Sequence, residues 1–90
     1  MDSKNVFPRS LQYLIAVAKY GNFTHAAEVL YVSQPALSQQ IKKLEDSLQC
    51  KLLDRSGKKI QLTDTGKSYV EHANLAWKNL DAGMRAIHDV

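Results

Sequence analysis

Val70, Ala73, Trp77, Leu80, Met84 and Ile87 alternate spacings of three and four without a break, and this seam constrains the chain more than any other feature. It is a heptad pattern on one long helix. Thr63 caps the start, the helix runs to about residue 89, and its length is on the order of 40 Å. Ninety residues allow one small domain with one projecting element. The residues before the helix are too few to cover the whole seam. The exposed remainder, Trp77 included, needs a second chain, and folding back onto its own domain is the alternative.

Upstream, Leu11, Leu14, Ile15 and Ala18 follow i, i+3, i+4, i+7 and turn one stripe of a first helix toward a core. That helix begins near Pro8 or Arg9, where a missing N–H does no harm, and Gly21 ends it in a left-handed position. Thr24 is the expected N-cap of a short second helix whose Ala26, Ala27 and Leu30 permit close helix contact. Ser33 caps a third helix, with Pro35 in its first turn. Leu37, Ile41, Leu44 and Leu48 form its narrow core stripe, opposite Pro35, Ser38, Gln39, Lys42, Lys43 and Asp46. The second helix ends at about Tyr31, just before Ser33. The pair reads as a helix-turn-helix whose turn is made without glycine.

After Leu48, residues 51–54 and 59–62 are short strand candidates, with Ile60 and Leu62 on one face. Arg55, Ser56, Gly57 and Lys58 join them in a turn that exposes positive charge. Two short strands do not stand alone, so the hairpin packs on the helices. The expected fold is mainly α: a winged helix-turn-helix over residues 1–62, with three helices and a two-stranded wing, then a long dimerisation helix over 63–90.

Charge is concentrated in the middle of the chain. Residues 33–62 carry Lys42, Lys43, Lys51, Arg55, Lys58 and Lys59 against Glu45, Asp46 and Asp54, an excess equal to the +3 of the whole chain. Focused positive charge attracts polyanions by steering and counterion release. A solvated charged face is the plainer reading, and charge alone does not separate the two.

Other classes of function find little support. Cys50 is alone, which excludes an intrachain disulfide and a cysteine-based metal cage. His25, His72 and His88 fall at no ligand spacing, and no Ser, His and acid cluster suggests a catalytic triad. No catalytic residue, metal or cofactor is expected, and so short a chain has little wall for an enzyme pocket. The longest apolar run, residues 13–18, is far below the ~20 residues of a membrane span. Residues 1–10 contain no signal-peptide stretch. The expectation is a cytoplasmic protein with no membrane partner.

The run Phe23-Thr24-His25-Ala26-Ala27, then Leu30-Tyr31-Val32-Ser33-Gln34-Pro35-Ala36-Leu37-Ser38, closing with Leu44-Glu45 and Leu48, resembles the N-terminal domain of LysR-type transcriptional regulators. Leu53-Asp54-Arg55 and Leu62-Thr63-Asp64-Thr65-Gly66 are similar to that family's wing and the start of its linker helix. The resemblance covers essentially the whole chain. Where the family commonly has Gly after the third helix, this chain has Gln49 and then Cys50. Family members also continue into a large effector-binding domain, which is absent from these ninety residues.

The resemblance implies sequence-specific binding of double-stranded DNA by a homodimer joined through the C-terminal helix, with a tetramer as a further assembly in a full-length protein. It makes residues 33–48 the recognition helix, whose N-terminal half enters the major groove. Gln39 is the first choice for reading a base, because an amide pairs bidentately with adenine. Ser38 serves a base or a phosphate; Gln34 and Pro35 meet a phosphate, base or thymine methyl at the helix start. Lys42 and Lys43 suit phosphates, and Arg55, Lys58 and Lys59 suit the flanking backbone or minor groove. Ser33 is a cap, a DNA contact, or both. Arg55 pairing with Asp54 or with a carboxylate at the core edge is an alternative to its DNA role, and Cys50 is most simply a small buried residue. Val70, Ala73, Trp77, Leu80, Met84 and Ile87 are the expected dimer interface. The competing class is a winged-helix protein-interaction module that does not bind DNA sequence-specifically.

Overall fold

The structure, a computed structural model, describes residues 8–89. Residues 1–7 and 90 lie outside it, and with them most of the stretch read above for a targeting signal. In chain order the elements are α1 (Arg9–Tyr20), α2 (Phe23–Leu30), α3 (Gln34–Leu48), β1 (Leu53–Asp54), β2 (Gln61–Leu62) and α4 (Asp64–His88). Helices α1, α2 and α3 pack against one another as a three-helix body.

Local chemistry sets the helix ends. Pro8 occupies the N-cap of α1, and its carbonyl accepts the N–H groups of Leu11 and Gln12. Gly21 closes α1 at φ 70, returning its N–H to the Val17 carbonyl at 2.8 Å. Asn22, not Thr24, caps α2: its side chain accepts the His25 N–H at 2.8 Å. Both residues have suitable oxygens, but Asn22 is the one with extended backbone at the helix start, and Thr24 already lies in the first turn. Ser33 caps α3 as expected, accepting the Ala36 N–H at 3.2 Å.

Tyr31 (φ 59) and Gln49 (φ 54) adopt the left-handed conformation that glycine usually takes. Each is followed by a Schellman-type closure, from the Val32 N–H to the Ala27 carbonyl and from the Cys50 N–H to the Glu45 carbonyl. These bonds reverse the chain at both ends of α3 despite the backbone cost.

The core is built from Leu14, Val17, Phe23, Ala26, Ala27, Leu37, Ile41, Leu52 and Leu53, with Leu11 also buried. On α1 the ridge Leu11, Leu14, Val17 points inward, while Ile15 and Ala18 are half-buried beside it. This shifts the expected stripe toward Val17, because α1 is covered by both α2 and α3. On α3, Leu37 and Ile41 are fully buried and Leu44 half-buried, but Leu48 is 41% exposed. The returning chain covers the flank at Glu45, one turn earlier, and the last turn of α3 runs past the body. Cys50 is half-buried against the core.

The wing strands are shorter than expected, two residues each, paired antiparallel with Leu53 opposite Leu62 and Asp54 opposite Gln61. The neighbouring backbone groups bond elsewhere. The Leu52 N–H goes to the Glu45 carboxylate, the Leu52 carbonyl accepts the Thr63 N–H, and the Ile60 N–H reaches the Gly21 carbonyl. The hairpin is thus tied to the body at its root rather than along its length.

Thr63 caps α4, accepting the Gly66 N–H at 3.0 Å while its hydroxyl donates to the Lys51 carbonyl at 2.7 Å. Gly66 is buried directly against the Leu52 carbonyl, and a methyl there would collide with it. Tyr69, Val70 and Ala73 lie against the body. Trp77 is half-buried at the rim of a groove shared with Ile15, Tyr20 and Leu30, so its own chain shelters it more than the sequence suggested. Beyond it the cover ends: Leu80 is 44% and Ile87 71% exposed, with Met84 half-buried. Helix α4 therefore does not fold back along its full length, and the molecule is 49 Å in its longest dimension.

The Gln49 backbone supplies a stability test. Gln49→Gly removes the cost of a side chain at positive φ and should raise unfolding free energy by about 0.5–1 kcal/mol. Urea unfolding followed by circular dichroism measures it.

Candidate nucleic-acid interface

The outward face of α3 starts at its N-terminus. Ser33 is exposed and its hydroxyl oxygen is engaged as the cap. Gln34 is also exposed, and its Oε1 accepts the Thr24 hydroxyl at 3.3 Å. That bond joins the first turns of α2 and α3 across the helix-turn-helix. It leaves the amide nitrogen as the part of Gln34 able to donate to a ligand. Pro35, Gln39, Lys42 and Lys43 are exposed, Ser38 and Gln40 are half-buried, and Asp46 is exposed farther along.

An open cleft of roughly 800 Å³ separates α3 from the wing. Ser38, Lys42 and Glu45 line it from α3, Lys51, Asp54 and Arg55 from the hairpin, and Asp64 from the start of α4. Gln39 and Lys43, each one residue on, are exposed on α3 beside the cleft rather than in its wall. The fold thus brings hydroxyl, amide and cationic groups of α3 next to the wing cations. Lys51 belongs with them, although sequence reasoning counted only its charge.

On the wing, the Arg55 guanidinium carbon sits 4.5 Å from the centroid of the Phe23 ring, a cation–π contact that ties the hairpin to the start of α2. Arg55 therefore stacks on the body instead of pairing with Asp54. The Asp54 carboxylate accepts both the Ser56 hydroxyl at 2.6 Å and the Ser56 N–H at 2.9 Å, closing a tight turn. The hydroxyl first, and then the N–H, holds the Asp54 carboxyl below its ordinary value of 3.8. Lys58 and Lys59 are exposed on the far side of the turn, near Asp54 and Gln61.

His25 is exposed with its ring 4.6 Å from that of Tyr20. Among the described residues no group of three His, Cys, Asp or Glu side chains could hold a metal ion, and no helix is long and apolar enough to cross a membrane. Sequence reasoning missed Glu45 and Phe23. Nothing local marks a glutamate on a polar helix for burial, and Phe23 read only as part of a motif.

Three helices, a two-stranded antiparallel wing and a long C-terminal helix define a winged helix-turn-helix protein of the linker-helix kind. Residues 8–67 match the family described as bacterial regulatory helix-turn-helix protein, lysR family. The chain belongs to that family. It is 40% identical over 80 residues to the transcriptional regulator CitR of Bacillus subtilis (strain 168), covering 89% of this chain and 28% of that protein. It is 39% identical over 82 residues to the nitrogen assimilation regulatory protein nac of Escherichia coli (strain K12), covering 91% and 27%. The chain thus spans less than a third of the length of these curated relatives.

Among solved structures, the DNA-binding domain of BenM in complex with benA site 1 DNA superposes with a TM-score of 0.80 at 33% identity, covering 90% of this chain and 91% of that one. DarR of Vibrio fischeri in complex with DNA gives 0.78 at 39% identity, covering 94% and 29%.

The wing turn makes a direct prediction. Ser56→Ala removes the hydroxyl bond, so Asp54 should titrate closer to 3.8. Because the native carboxyl is depressed, the turn's contribution is present above the ordinary carboxylate range and is lost as pH falls through the lowered native value. Carboxyl-detected NMR titration of both proteins measures the change.

Proposed function

We propose that this chain is the DNA-reading part of a dimeric transcriptional regulator, with residues 8–62 as the DNA-binding unit and 63–89 as the dimer arm. One observation carries the reading: Ser38 and Lys42 of α3 face Lys51 and Arg55 across one open cleft, with Gln39 and Lys43 exposed on the same helix beside it. The relatives solved with DNA, BenM and DarR, support it. The N-terminal half of α3 enters the major groove, where base edges are distinguishable. Gln39 reads a base, and Ser38, Gln34 and Pro35 contact base or backbone. Lys42, Lys43, Lys51, Lys58 and Lys59 neutralise phosphates. Arg55, braced on Phe23, faces the flanking backbone or minor groove, and Ser33 acts chiefly as a cap.

The exposed seam of α4 supports a two-fold pair, with Leu80, Met84 and Ile87 at its centre and Trp77 at its edge. A dimer reads two half-sites about 34 Å apart or a multiple of that. The role is one of binding in the cytoplasm, without catalysis.

Selection from a random duplex pool, followed by titration at several salt concentrations, tests the reading. Gln39→Ala should cost about 1–3 kcal/mol and relax preference at one base pair. Lys58→Ala should weaken binding to all sequences and lower the salt slope by about 1. Loss of affinity without change of preference in the Gln39 variant would remove its readout role. Little affinity for any duplex would favour a protein-interaction module instead.

The dimer has its own test. Leu80→Glu puts a charge in the seam and should give monomers by sedimentation equilibrium. Single half-sites should still be bound, with the preference for paired half-sites lost.

A further inference from the structure

Among the described residues, Glu45 is the charged side chain that the body buries. It lies on the polar-rich helix α3 near its end, yet is only 5% exposed. Its Oε2 accepts the backbone N–H of Leu52 at 2.7 Å and of Leu53 at 3.3 Å. A carboxylate removed from water is costly unless hydrogen bonds replace its hydration. Here the wing's own backbone supplies them, in charge-assisted form. The result is a fixed link between α3 and the root of the hairpin.

The hairpin depends on such a link. Its ladder is two residues per strand, too short to hold its own orientation. Leu53 is the first rung, so the Glu45 oxygen fixes where the ladder starts. Leu52 passes the constraint onward, since its carbonyl accepts the Thr63 N–H at the cap of α4. One side chain on α3 therefore sets the place of the wing and bears on the root of the dimer arm.

We propose that Glu45 is a positioning residue for DNA binding: from the wing-facing side of the recognition helix, at the floor of the cleft, it holds the wing at the offset at which Arg55, Lys58 and Lys59 meet the duplex while Gln39 and Ser38 are in the groove. This rests on the DNA-reading role proposed above. Glu45 itself touches no DNA. Its effect is felt at the flanks of the site, where the wing lies, and not at the bases that α3 reads.

The test compares the ninety-residue chain with Glu45→Gln, which keeps the reach but not the charge, and Glu45→Asp, which keeps the charge but falls one methylene short. Each is bound to a duplex selected from the random pool by the unmodified chain. Hydroxyl-radical footprints, salt slopes and amide exchange at Leu52 and Leu53 are measured. Charge-assisted bonds are about twice as strong as neutral ones, so Glu45→Gln should speed exchange at both amides and trim the flanking protection. Glu45→Asp should lose that protection and lower the salt slope by about 2–3, the share of three wing cations. Central protection and the base preference at the Gln39 position should persist in both.

Even loss across the footprint with an unchanged salt slope would overturn the proposal, since a merely structural role behaves that way. Wild-type flanks and exchange rates in Glu45→Gln would also overturn it, and that variant decides the matter if Glu45→Asp does not fold. Failure of the unmodified chain to footprint any duplex would overturn the DNA reading. The amide exchange rates would then still report whether the Glu45 link exists.

Discussion

The packing of residues 51–53 beneath the start of α4 is the constraint on which the remaining architecture depends. Leu52 is fully buried, its N–H is held by Glu45, its carbonyl accepts the Thr63 N–H, and Gly66 presses against that same carbonyl. Body, wing and arm meet at this one stretch of backbone. A side chain at position 66 would push the arm away, and an apolar residue at 45 would leave two buried N–H groups unpaired. Unpaired buried backbone donors are costly, so these positions admit few substitutions.

The division of labour on the surface follows from this root. The wing packs on the core through Leu53, Ile60 and Leu62 at its root, and its turn is closed by Asp54 and Ser56. Its cations reach out from a small, locally braced loop, with Arg55 supported by Phe23 and the Ile60 N–H tied to Gly21. Helix α3 has the opposite design: Leu37 and Ile41 fix it firmly in the body while the other side stays polar. A polar helix face anchored by buried apolar side chains thus stands next to a short basic loop whose geometry is set by other contacts.

Much of this was legible in the sequence because it is governed by local rules. The helices themselves, the Gly21 stop and the Ser33 and Thr63 caps each depend on a few neighbouring residues, and the structure has each of them. The errors fall where tertiary contacts decide. Asn22 and Thr24 are both competent caps, and backbone placement selected the first. Leu48 has the right spacing for the core but no neighbour to cover it, whereas Glu45, a residue type usually solvated, is buried because a returning strand supplies its hydrogen bonds. The basic groups of α3 and the wing were legible as types. That Lys42, Lys51 and Arg55 face one cleft, with Arg55 stacked on Phe23, depends on a hairpin position that no periodicity encodes.

Helix α4 is continuous from Asp64 to His88, and a rod of that kind magnifies errors at its base. With a length of about 37 Å, a tilt of about 5° near Gly66 moves the far tip by about 3 Å. The fit between one glycine and one carbonyl thereby acts as a lever's fulcrum: small alterations there change how far apart a pair of such heads would be held.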